Sequence, residues 1–161
     1  MAVTTDIVAT WRGPRPVMRR LLAPGPNEGR ALAMLMAGCG VTFIGQWPRL
    51  MRVSLETGRD FNPLVGGALL GWLFIAPLGF YAIAFVSHAL LRAAGGRAQP
   101  FAARLALFWA FLAASPLMLL HGLVAGFIGP GGETTAVGAI WAAVFLWFWL
   151  SGLHEAGWGR S

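Results

Sequence analysis

The chain has 161 residues, 57% of them hydrophobic and only 11% charged, where an average soluble domain carries about a quarter charged residues. Eighteen charged side chains cannot cover a soluble globule of this length, and a single cysteine, Cys39, excludes a disulfide framework. The net charge of +6 rests on arginine alone, scattered between apolar runs, which points to topology and phospholipid headgroups and away from nucleic acid.

In chain order, the first 29 residues read as a cytoplasmic basic segment. They carry no apolar core of the length a secretory signal needs, and Met1-Ala2 is no myristoylation start. Thr4, Thr5 and Asp6 offer helix caps, and Pro14 opens a helix over Arg15 to Leu22. Val17, Met18, Leu21 and Leu22 share one face of it, and Arg15, Arg19 and Arg20 share another. A short amphipathic helix lying on the inner leaflet is one reading; an arm packed under the bundle is the equal alternative. Ala23-Pro24-Gly25-Pro26-Asn27 ends it.

A bilayer core about 30 Å thick takes about 20 apolar helical residues, and four runs over residues 30–155 qualify. The first runs from Ala31 to about Pro48, the second from Phe61 to Leu91, the third from Leu105 to about Gly129 and the fourth from Thr134 to Leu153, leaving 156–161 as a tail. No alternating strand pattern is present, so helices are the solution that satisfies the backbone in lipid. The expected fold is an all-α polytopic bundle of four spans. Pro77 and Pro116 are expected to kink the second and third spans, and a break at Ser115-Pro116 would give five segments.

Arginine distribution orients the spans. Arg12, Arg15, Arg19, Arg20 and Arg30 precede the first span, and Arg92, Arg97 and Arg104 lie between the second and third. Only Arg49, Arg52 and Arg59 argue the other way, so both termini are expected in the cytoplasm of a bacterium, with the chain in its inner membrane.

Polar residues inside spans are candidates for function, and His88, Ser115 and His121 form the one polar trio worth naming. His88, His121, His154 and Cys39 are spread one per element, so no metal site, cofactor or catalytic dyad is expected. A haem between His88 and His121 is a remote alternative. Packing code is richer. Gly67 and Gly71 in the second span and Gly122 and Gly126 in the third are GxxxG pairs, and Ala106, Ala110 and Ala114 form a small-residue stripe. Trp47, Trp141, Trp147 and Trp149 are candidate interface anchors.

Three stretches carry a family resemblance. They are TWRGPRPVMRRLLA (Thr10 to Ala23), SHALLRAAGGRAQPFAARLALFWAFLAASPL (Ser87 to Leu117) and WFWLSGLHEA (Trp147 to Ala156). In this arrangement the chain resembles the bacterial branch of the Yip family, membrane proteins known in eukaryotes as partners of small GTPases in vesicle trafficking. The resemblance implies a helical bundle with a cytoplasmic N-terminal region, typically five spans, and no catalytic residues. The trafficking role does not transfer to a bacterium, which lacks that pathway.

The expectation is thus a non-enzymatic inner-membrane protein. It acts by contact with the bilayer, with anionic phospholipids, and with a membrane-protein partner or a second copy; an accessory subunit of a larger complex is one such form. The alternative is a small transporter, channel or lipid-handling protein with His88, Ser115 and His121 lining a site between kinked helices.

Overall fold

The computed structural model describes Ala2–Gly159. The chain is 86% helical, without a strand among the described residues. Two short helices, α1 (Val3–Arg12) and α2 (Pro14–Leu22), form an N-terminal arm. They are followed by α3 (Glu28–Gly45), α4 (Trp47–Thr57), α5 (Phe61–Leu70), a π-turn (Gly71–Ile75), α6 (Ala76–Ala93), α7 (Pro100–Phe127) and α8 (Gly132–Trp158). Four segments are long and apolar enough to cross a membrane: Glu28–Thr57, Phe61–Ala93, Pro100–Phe127 and Gly132–Trp158. This is a multi-pass membrane protein.

The helix α7 is the axis of the bundle. From Phe101 to Ser115 every residue except Arg104 is buried, the state of a helix that is apolar all round. Against it lie α3 and α4 on one side, the π-turn and α6 on another, and α8 and the arm on a third. Phe111 meets Trp72 of the π-turn in a stacked pair at 6.4 Å and Phe80 of α6 at 4.4 Å, and Phe108 meets Tyr81 edge-on at 5.0 Å.

On α3 the buried residues are Ala31, Met34, Leu35, Gly38, Cys39, Thr42 and Gly45, a helical stripe with steps of three and four. Its glycines set the distance to α7. A Cβ built on Gly122 would overlap the carbonyl oxygen of Gly45, and one on Gly126 would stand 2.6 Å from the Pro48 carbonyl carbon. A Cβ on Gly38 would press into the Phe111 ring at 2.7 Å.

The boundaries correct several expectations. The first span continues through Pro48, because a proline fits the opening turn of a new helix, α4. Pro77 is accommodated by the π-turn before it, where the Ala76 N–H bonds the Gly71 carbonyl five residues back. Pro116 does not break α7, so the five-segment alternative fails: one helix continues to Phe127. The helix α8 runs to Trp158, so the first three residues of the expected tail belong to it. Thr4, Thr5 and Asp6 are not caps; α1 starts before them at Val3, and Thr5 Oγ1 bonds the Ala2 carbonyl at 2.6 Å.

The two GxxxG pairs separate clearly. Gly122 and Gly126 pack within the chain, whereas a Cβ at Gly67 or Gly71 would meet nothing within 4 Å. The expected packing role of Gly67 and Gly71 is therefore unfilled inside the bundle, because α5 leans on α4 and leaves that face open. Gly122→Ala is expected to cost about 1–3 kcal/mol by forcing α3 and α7 apart. Gly67→Ala should stay within about 1 kcal/mol of wild type. Reversible unfolding in detergent measures both.

Candidate functional site: the arm and its junction with the bundle

The arm is tied to the bundle by polar groups on α1 and α2. Thr10, fully buried, donates through Oγ1 to the Asp6 carbonyl at 2.7 Å and accepts from Trp109 Nε1 at 3.0 Å. Trp11 Nε1 donates to the Ala113 carbonyl of α7 at 3.0 Å, and its ring meets Phe148 of α8 edge-on at 5.4 Å. Arg19 Nε donates to Glu155 Oε1 at 2.7 Å, and Arg20 pairs with Asp6, linking α2 back to α1.

In both ion pairs the carboxylate is dry and the guanidinium wet. Side-chain exposure is 6% for Glu155 against 63% for Arg19, and 9% for Asp6 against 44% for Arg20. The bond and the charge of Glu155 push the Arg19 pKa above its ordinary value. Val17, Met18 and Leu21 fill the space beneath, with a Cβ at Gly152 of α8 lying 3.6 Å from the Met18 sulfur.

The arm is thus packed on the bundle. Arg19 and Arg20, read as lipid contacts, each bond a buried carboxylate of the chain and keep part of the side chain exposed. Arg15 is exposed and enters no ion pair among the described residues. In the sequence Asp6 reads as a helix cap and Glu155 only as part of the stretch WFWLSGLHEA; neither reads as a buried partner for an arginine of α2.

The remaining anchors divide. Trp47 is 46% exposed between Phe43 and Phe61, two residues before Arg49, a setting compatible with an interface anchor. Trp147 is exposed beside Phe148, the residue that meets Trp11. Trp149 instead stacks on Phe145, which stacks on Trp141, and its indole nitrogen is buried without a partner. Ala106 and Ala110 are buried on α7, where a Cβ at Gly152 would stand 3.2 Å from Ala106 Cβ.

The polar trio is dispersed. His88 Nε2 lies 3.2 Å from the Ala98 carbonyl and fastens the end of α6 to the loop before α7. Ser115 Oγ donates to the Leu112 carbonyl at 2.6 Å, the acceptor that Pro116 leaves without its N–H. His121 faces Gly138 of α8, and its Nδ1 is buried without a partner. Each of the three therefore has a different surrounding, and α7 runs continuously past Pro116. Among the described residues no three His, Cys, Asp or Glu side chains converge as metal ligands.

The ends of the bundle differ in charge. At the arm end stand Arg12, Arg15, Arg19, Arg20, Arg30, Arg92, Arg97 and Arg104 with Asp6, Glu28 and Glu155. At the other end Arg49, Arg52 and Arg59 are balanced by Glu56, Asp60 and Glu133. Arg104 pairs with Glu28, Nε to Oε2 at 3.1 Å. Arg52 Nη1 donates to the Gly126 carbonyl at 3.1 Å, closing the C-terminus of α7. Its Nε stands 2.8 Å from Glu56 Oε1, an ion pair outside hydrogen-bond geometry. From Arg104 to Gly126 is about 33 Å at 1.5 Å per residue, the thickness of a bilayer core.

No family model, curated protein or solved structure matches the chain.

Two substitutions isolate the proline defect. Ser115→Ala should cost about 1 kcal/mol by leaving the Leu112 carbonyl unpaired, and the cost should vanish in a Pro116→Ala background, where residue 116 regains its N–H. A double-mutant cycle of detergent unfolding reads the coupling. Arg20→Gln should cost about 1–3 kcal/mol by stranding the buried Asp6, and hydrogen exchange should localise the loss to α1 and α2.

Proposed function

We propose that this chain is a non-enzymatic protein of a bacterial inner membrane that acts by contact, of the kind the Yip resemblance implies. Its arm end faces the cytoplasm, and a membrane-protein partner or a second copy sits against its outer helix faces. The observation carrying this reading is how little of two spans the chain covers itself. Only 11% of the most apolar window is buried in Phe61–Ala93 and in Gly132–Trp158, against 56% for Pro100–Phe127. Phe74, Leu78 and Phe85 on the second span point outward, beside the open glycines Gly67 and Gly71. Small residues on an open face let a second helix come close, and bulky neighbours supply area.

Orientation follows from eight arginines at the arm end against three at the other. An accessory subunit of a larger complex is one form of this function. The carrier alternative draws no support from His88, Ser115 and His121, which are held apart.

The test is extraction of the tagged chain in mild detergent, with photo-crosslinking residues placed at Phe74 or Phe85 and, as a buried control, at Phe108. A particle heavier than one chain, with protein adducts from Phe74 and Phe85 only, is the expected result. Gly67→Leu with Gly71→Leu should leave folding intact and dissociate that particle. A solitary chain that yields lipid adducts alone, or liposome flux lost in His121→Ala, would overturn the reading.

A further inference from the structure

We infer that a second copy of this chain docks on the open face of the second span, across a twofold axis along the membrane normal. Arg59 and Asp60 of each copy then pair with Asp60 and Arg59 of the other. The inference rests on the reading of the chain as a membrane protein that acts by contact, and names the partner as another copy.

The first observation is a pair of unanswered charges. Arg59 and Asp60 are the only arginine and carboxylate that adjoin in the sequence. Both are exposed in the turn before α5, and neither enters an ion pair among the described residues. They line a hollow of about 380 Å³ together with Gly58, Pro63 and Leu64. A partner that answers them has to bring one guanidinium and one carboxylate to the same level. A copy of this chain does so by symmetry.

The second observation is the helix face that continues from that hollow. Pro63, Gly67 and Gly71 follow one another at steps of four, on one side of the helix. Beyond the π-turn, Gly79 is open in the same way. A Cβ at Gly66, Gly67, Gly71 or Gly79 would meet nothing within 4 Å, and none of the four has a positive φ. Glycine inside a helix is a cost relative to alanine, and neither packing within the chain nor backbone conformation accounts for it here. A helix laid on this face can approach backbone to backbone, as α3 approaches α7 at Gly45 and Gly122.

The third is direction. With the arm end of every copy on the same side of the membrane, a twofold axis has to stand along the membrane normal, and the two second spans run parallel. Each residue near the axis then faces its own counterpart, glycine to glycine, and the adjoining Arg59 and Asp60 exchange partners. Phe61 to Leu91 holds no Asp, Glu, Lys or Arg, so no like charges oppose each other along the contact. Exposed ion pairs add little affinity. Their part is to fix the register of an attachment that the glycines make close.

The full chain is studied in the membranes of cells that express it, with one cysteine added at a time. Cys39 is buried, which leaves the added thiol as the accessible one. Under mild oxidation Gly67→Cys and Gly71→Cys should give a disulfide-linked product of twice the chain mass. Ile140→Cys, exposed on α8, should give little of it. Arg59→Asp and Asp60→Arg each leave a copy with two like charges at the turn, and each should weaken self-association in mild detergent about ten-fold. Made together under different tags, the two variants should recover association with each other, because one brings two carboxylates and the other two guanidinium groups.

Dimer formed equally from Ile140→Cys would mean chance collision and overturn the pairing. So would the absence of dimer from both glycine positions, or charge variants that associate like wild type or fail to recover each other. The crosslinks from Phe74 and Phe85 separate this inference from the reading beneath it. Adducts to a different protein, without the disulfide dimer, sink the second copy and leave the contact reading standing. Lipid adducts alone from a solitary chain sink both.

Discussion

The structure depends on one close approach of backbone to backbone, Gly122 of α7 on Gly45 of α3, where no side chain fits between the helices. Lipid gives helices no hydrophobic reason to associate, so van der Waals contact at short range has to supply the attraction. With α3 drawn in at Gly38 and Gly45, and α4 at Pro48, Phe111 is enclosed and presents its other side to Trp72 and Phe80. That aromatic cluster fixes α6 and the π-turn. The opposite face of α7 is left for Gly152 and Phe148 of α8, and the arm closes over both.

The same solvent dictates how polar groups are handled. Thr42 bonds the Gly38 carbonyl at 2.9 Å, Ser87 the Ile83 carbonyl at 2.7 Å, and Ser115 the Leu112 carbonyl at 2.6 Å. Each hydroxyl is satisfied by its own helix, one turn back. Ser115 does more than satisfy itself, because it repairs the ladder at the residue a proline has interrupted. Two bonds cross from the arm to α7: Trp109 Nε1 donates to Thr10 Oγ1, and Trp11 Nε1 to the Ala113 carbonyl.

Span number, helical class and the apolar limits were readable because they depend on composition along the chain. Which residues meet was less so, since that depends on a mate the sequence does not specify. Gly67-Gly71 and Gly122-Gly126 have the same spacing, yet only the second pair finds a backbone in the chain. The stripe on α3 from Ala31 to Gly45 obeys a readable period, but its glycines Gly38 and Gly45 stand seven apart, outside the GxxxG spacing. Pro116 is plain in the sequence, but that the adjacent Ser115 turns its hydroxyl to the Leu112 carbonyl depends on a side-chain rotamer. The pairing of Arg19 with Glu155 joins residues 136 apart in sequence, a separation at which no periodicity gives notice.

The unequal ends of the bundle have an electrical consequence. Eight arginines against three carboxylates leave an excess of five positive charges on one side of the bilayer, while the other side sums to zero among the described residues. Carrying one charge through a membrane potential of about 100 mV involves about 2.3 kcal/mol, so reversing this molecule would oppose the field by roughly 11 kcal/mol. The molecule is in effect a fixed dipole. A membrane potential favours the orientation that keeps the arm in the electrically negative compartment, and a change of potential alters the field felt there without any helix having to move.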